Sequence, residues 1–113
     1  PDSIYSPRHI GLYSGVPLHI PALGINRLCG SGFQSIVEAY QQLGPYATER
    51  NLAYGVEPLN RFETYFLNSQ EQASALTDAV GHPNVGHMYD TFHANIEEKS
   101  IRKAIETGGK RIN

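Results

Sequence analysis

The chain has 113 residues, 40% of them hydrophobic and 18% charged, a composition that suits one small globular domain and not a disordered segment. A net charge of −2 without a basic block argues against nucleic acid as a partner, and no apolar run approaches the roughly 18 residues that would cross a membrane as a helix. The single cysteine, Cys29, leaves no internal disulfide and points to a reducing, cytoplasmic setting without a signal peptide. A start at Pro1 is read as a sign of a fragment or a processed chain.

Residues 3–15 read as a helix with Ser3 as its cap, Pro7 near the first turn, and Ile4, His9, Leu12 and Tyr13 at helical spacing. Gly15 and Pro17 end it. Residues 22–28 are a short apolar strand candidate. Cys29-Gly30-Ser31-Gly32 then forms a tight glycine turn, and Phe33, Ile36, Val37, Tyr40 and Leu43 continue at helical spacing. A thiol at a helix N-terminus faces unpaired N–H groups, which favour the thiolate and make Cys29 a candidate nucleophile. The same position suits a small buried residue at a tight turn. Pro45 either starts a new turn or kinks the helix it follows.

Residues 52–56 form an apolar run that ends on Glu57. Buried parallel strands deliver carboxylates to the carboxyl end of a sheet in this way. Ser69 and Gln72 have capping-box spacing ahead of a helix with a buried stripe of Ala73, Leu76 and Val80, closed by Gly81 and Pro83. A second apolar run, 85–89, ends on Asp90, about one βαβ unit beyond Glu57. Two adjacent parallel strands would present Glu57 and Asp90 side by side. The residues Thr91-Phe92-His93 read as loop, from which His93 reaches the same site, while strand alternation sends His87 to the opposite face. Ser100 caps a last helix with Ile101, Ala104 and Ile105 facing inward and Gly108-Gly109 closing it.

The element order, α then βα three times, predicts an α/β fold, α(βα)3, with a small three-stranded parallel sheet flanked by helices in a single domain. The bare sheet edges predict association with a second copy or with more of the same chain.

Two stretches resemble known families. Gly-Val-Glu-Pro-Leu-Asn-Arg-Phe-Glu at 55–63, Phe-Leu-Asn at 66–68 and Tyr-Asp-Thr-Phe-His-Ala-Asn-Ile-Glu-Glu at 89–98 are similar to the D-tagatose/D-psicose 3-epimerases, xylose-isomerase-like TIM barrels. The resemblance covers residues 43–113, although Ala94 stands where that family usually has methionine. It implies a partial TIM barrel, since a whole one needs about 250 residues. It implies Glu57 and Asp90 as ligands of a divalent metal, Mn2+ or else Mg2+ or Co2+. Glu57 would also be one of two acid/base carboxylates at the sugar's C3, and Glu63 and His93 would contact sugar hydroxyls. In the family a histidine and a second catalytic glutamate from the next two strands complete the metal site, and an arginine binds substrate. This chain stops where the first of those strands should begin.

Residues 1–37 resemble something else. Arg8-His9-Ile10-Gly11-Leu12 and the run from Pro21 to Val37, with Cys29-Gly30-Ser31-Gly32 inside it, look like the nucleophile region of thiolases. There the cysteine is acylated, and a second cysteine and distant histidines share the proton transfers. The only cysteine here is Cys29. Gly81-His82-Pro83 also matches a thiolase motif, but a helix-to-strand turn accounts for it. The junction falls within 36–43, where both families supply a helix. Three readings follow: a partial metal-dependent ketose epimerase or isomerase, a thiolase-type acyltransferase fragment with Cys29 as nucleophile, and a recombined chimera without catalysis. Glu57 and Asp90 also have a purely structural reading, as a helix cap or as a partner of Arg61.

Overall fold

The computed structural model describes residues 6–25 and 30–113. The expected Ser3 cap, the first residues of the predicted N-terminal helix and the thiol of Cys29 lie outside the described residues, as do positions 26–28 of the strand expected at 22–28. The chain divides into two compact units between Ser35 and Ile36. That boundary sits at the edge of the interval where the two sequence resemblances meet.

In the first unit, helix α1 spans Ser6–Tyr13. Pro7 occupies its first turn, where a missing N–H breaks no hydrogen bond. Past the helix, Gly15 takes a left-handed φ of 81° that a side chain would resist. The guanidinium of Arg8 donates to the carbonyls of Leu18 and Ile20 and folds the following loop back towards the helix. Residues 21–25 form no strand. The sheet expected to have three strands therefore has two among the described residues.

Helix α2, Ser31–Glu49, runs unbroken through Pro45. Proline can occupy a helix interior when packing holds the backbone. Here Gly44 is buried, and a Cβ on it would come within 2.5 Å of the His82 ring, so the helix backbone lies directly on the turn at residues 81–84. Ile36, Val37 and Tyr40 are the α2 residues that meet the core.

The second unit carries the α/β architecture. Strand β1 is Tyr54–Val56, helix α3 is Gln70–Val80, and strand β2 is Val85–His87. The strands pair in parallel, with Tyr54 opposite Val85 and Val56 opposite His87. The capping box at Ser69 and Gln72 is complete, and Gly81 closes α3 at a φ of 67°. His82 accepts from the Asn84 backbone N–H at 3.2 Å, so Gly81-His82-Pro83 is a helix-to-strand turn. Val37, Leu67, Leu76, Val80 and Val85 form the core cluster, with Leu76 wholly buried.

Two short helices complete the unit. The segment expected as loop after Asp90 is helix α4, Thr91–Glu97. The Asp90 carboxylate accepts from the Phe92 N–H at 2.7 Å and so caps it. Helix α5, Ile101–Gly108, is capped by Ser100 as expected. It buries only Ala104 and Gly108, and Ile101 and Ile105 remain 40% and 46% exposed instead of facing inward. A helix that packs through small residues turns its larger neighbours sideways. Beyond it, Ile112 bridges His87 in parallel, and the Asn113 N–H donates to the His87 carbonyl at 3.0 Å. The sheet thus extends in chain order, β1, β2, then Ile112, as successive strands of a barrel do.

His87 lies in the core, fully buried, with its Nε2 3.2 Å from Ser74 Oγ on α3. Burial pushes its imidazole below the ordinary value of 6.5; the Met88 backbone opposes this and Arg111 adds to it. The unfolded chain therefore takes up this proton at a higher pH than the folded chain. The resulting stability is present above the unfolded value and is lost as pH falls through the window beneath it. Thermal melts at stepped pH should show the midpoint falling from about pH 6.5 downwards. The same series for His87→Gln should fall less steeply in that window.

Candidate functional site

Glu57 follows β1 directly, and Asp90 lies just past β2. Parallel pairing puts both at the same end of the sheet. The Met88 N–H donates to the Val56 carbonyl at 2.8 Å and fixes the two strand ends against each other. His93, on the first turn of α4, joins them. One ligand atom from each of Glu57, Asp90 and His93 lies within 4.8 Å of the others. His93 is 8% exposed, whereas the Glu57 side chain is 36% exposed and so faces outward from the sheet end.

The loop from Glu57 to Ser69 is tied down by its own polar groups. The Asn68 side-chain amide donates to the carbonyls of Leu59 at 2.7 Å and Thr64 at 2.9 Å. Leu67 is buried at a φ of 52°, a left-handed conformation unusual for a branched side chain. Strain of this kind persists where surrounding contacts over-determine the backbone. The Gln70 N–H donates to Glu98 at 2.7 Å and joins the loop's far end to the end of α4.

Arg61 does not pair with Glu57. Its guanidinium donates to both oxygens of Glu97, at 2.9 and 3.0 Å, and its backbone N–H donates to the same carboxylate at 2.6 Å. These bonds hold the Glu97 carboxyl below its ordinary range and the Arg61 guanidinium above its own. Among the described residues no lysine or arginine pairs with Glu57 or Asp90. The structural reading of Asp90 as a helix cap is realised through one oxygen, and that of Glu57 as a partner of Arg61 is not. Two carboxylates at one strand end without a lysine or arginine partner suit a hard divalent cation.

Glu63, expected at the substrate, lies 3.9 Å from His93 Nδ1. Between them sits Asn60, which the sequence reading did not single out. It is 2% exposed, and its amide nitrogen is 2.8 Å from Glu63 Oε1 and 2.9 Å from His93 Nδ1. The available signal was an Asx residue two positions ahead of Phe62, inside a loop already bracketed by two acids. Cys29 lies outside the described residues.

The sequence matches the family described as Xylose isomerase-like TIM barrel over residues 8–113. It is 37% identical over 102 residues to the D-psicose 3-epimerase of Enterocloster bolteae, covering 90% of this chain and 33% of that protein. The crystal structure of D-psicose 3-epimerase with D-tagatose from Clostridium cellulolyticum H10 superposes with a TM-score of 0.72 at 34% identity, covering 80% of this chain and 31% of that one. A shorter similarity, 50% over 60 residues, links it to the human mitochondrial 3-ketoacyl-CoA thiolase, covering 53% of this chain and 15% of that protein. The chain spans about a third of the length of the first of these relatives. No helix among the described residues is long and apolar enough to cross a membrane.

Proposed function

The chain belongs to the xylose isomerase-like TIM-barrel family, and from that premise we propose that it supplies part of the active site of a divalent-metal-dependent ketose 3-epimerase. The observation that carries this reading is the convergence of Glu57, Asp90 and His93 at one end of two parallel strands. Glu57 and Asp90 would hold the ion, Mn2+ or else Mg2+ or Co2+, through hard carboxylate oxygens. When bound, the ion would supply Lewis acidity at the ketose carbonyl and offset negative charge developing on the carbonyl oxygen. Glu57 takes the proton from the adjacent carbon, C3, as general base. Glu63 and His93 hold the sugar hydroxyls and fix which face of the carbon meets the base. Return of a proton to the other face requires a second acid, which the family places on a later strand. The parallel bridge from His87 to Ile112 supports that order of strands.

The substrate would be a ketose such as the D-psicose and D-tagatose named for the relatives. The outer edge of β1, unpaired among the described residues, is where a strand from a longer chain or a second copy would dock. We propose a cytoplasmic setting, which the single cysteine supports, and no nucleic-acid partner. Electron spin resonance tests the metal reading directly. Adding the chain should diminish the signal of free hydrated Mn2+, and the Glu57→Gln chain should leave it undiminished. An equal loss of signal with both would refute the reading.

The similarity to the human thiolase favours a second reading, an acyl-accepting thiol at Cys29. It lacks the second cysteine that such a cycle uses, because Cys29 stands alone. On the epimerase reading, iodoacetamide should alkylate Cys29 at the rate of an ordinary thiol. Alkylation more than about tenfold faster at neutral pH would mark an activated thiolate and favour acyl transfer.

A further inference from the structure

The hydrogen bonds around Asn60 leave little freedom in how its neighbours carry their protons. The Phe62 backbone N–H donates to Asn60 Oδ1 at 2.9 Å. A backbone N–H can only donate, so this contact identifies the oxygen and turns the amide nitrogen the other way. That nitrogen has two hydrogens and two neighbours, Glu63 Oε1 at 2.8 Å and His93 Nδ1 at 2.9 Å. The Asn60 backbone N–H also donates to His93 Nδ1, at 3.2 Å. His93 Nδ1 thus faces two groups that offer hydrogens. A neutral imidazole carries one proton and one lone pair. With Nδ1 accepting, the proton is on Nε2, the nitrogen that lies 4.0 Å from Glu57 Oε1.

We propose that Asn60 is a positioning residue that presets His93 as an Nε2–H donor facing the Glu57 and Asp90 carboxylates, while tethering Glu63 beside it. Glu63 and Asn60 belong to the loop after β1 and His93 to α4, so the residue joins two elements into one polar constellation. Burial strengthens the arrangement. Asn60 is 2% exposed and His93 8% exposed, and water therefore competes weakly for these bonds. A ring left free to flip would alternate between donor and acceptor beside the carboxylates. A fixed ring presents only a donor, suited to a carbonyl or hydroxyl oxygen seated against the two carboxylates. That such an oxygen belongs to a ketose rests on the proposed function; the proton placement does not.

The test is the tautomer itself. In the chain labelled with nitrogen-15 histidine, long-range proton–nitrogen correlation spectra at a pH where imidazole is neutral distinguish a protonated ring nitrogen from a bare one. The His93 signals, identified by their absence in His93→Gln, should show a bare Nδ1 and a protonated Nε2. A protonated Nδ1 would overturn the proposal. Asn60→Asp keeps the oxygen that caps Phe62 and replaces the amide donor with an acceptor. With an unchanged far-ultraviolet circular dichroism spectrum, it should shift the proton towards Nδ1. A folded Asn60→Asp chain that keeps the bare Nδ1 would also overturn it. If that variant fails to fold, the spectrum of the unaltered chain decides alone. The Mn2+ titration separates the two ideas: a protonated Nδ1 in a chain that binds Mn2+ sinks only this proposal, and a bare Nδ1 in a chain that binds none sinks only the epimerase reading.

Discussion

Replacing Leu76 with alanine is expected to destabilise the fold by about 3 kcal/mol. Leu76 is 0% exposed and belongs to the cluster of Val37, Leu67, Val80 and Val85, which joins α2, the site loop, α3 and β2. Removing its side chain takes away apolar burial and leaves a void that the surrounding elements cannot fill without moving. A small unit has little stability to spare, commonly about 5–15 kcal/mol in all. Urea denaturation followed by circular dichroism should show the midpoint falling sharply. Ile105→Ala provides the contrast: at 46% exposure it should cost well under about 1 kcal/mol. Equal losses for the two would mean that the core does not lie between α3 and the sheet.

A complete loss of the metal response is also expected at Asp90. One of its oxygens caps α4 through the Phe92 N–H, and its carboxylate belongs to the group that gathers with Glu57 and His93. Asparagine preserves the capping oxygen, since Asn and Asp are comparable N-caps, but removes the charge. Asp90→Asn should therefore melt close to the unaltered chain without metal and lose all response to Mn2+. Asp90→Ala should lose that response and also about 1 kcal/mol from the missing cap. A fully retained Mn2+ response in Asp90→Asn would reduce Asp90 to its structural role. The pair of substitutions separates the two duties because cap and ligand demand different things of the same side chain.

What the sequence revealed followed the reach of its signals. Helix α3 was legible at both ends because its punctuation is local: Ser69 and Gln72 at one end, Gly81 at the other. The pairing of Glu57 with Asp90 was legible because two apolar runs a βαβ unit apart ended on acids. Helix α4 was not, since it buries only His93 and Ala94 and leaves Phe92 62% exposed, so no apolar stripe marks it. Periodicity found the face of α5, where Ala104 is buried as expected, but could not tell that the isoleucines beside it would stay partly exposed. The strand expected at residues 22–28 had an apolar beginning, but no partner pairs with positions 22–25 among the described residues. Pro45 looked like a breaker and became an interior helix residue, because the fit of Gly44 against His82 depends on tertiary contact. Asn60 was hidden for the same reason. Its hydrogen bond to His93 joins residues 33 positions apart, and nothing in the local spelling of the loop announces it. The proposed metal ligands came from resemblance more than from chemistry, since a carboxylate at a strand end has several ordinary uses.

The most direct test of the central claim is a thermal melt followed by circular dichroism, with and without millimolar Mn2+, on the unaltered chain and on Glu57→Gln. A ligand that prefers the folded state raises its melting temperature, by an amount that grows with the logarithm of its concentration over its Kd. The account predicts a cooperative transition that moves upward with Mn2+ in the unaltered chain and stays still in Glu57→Gln. A transition indifferent to Mn2+ in the unaltered chain, or one that rises equally in both, would contradict it.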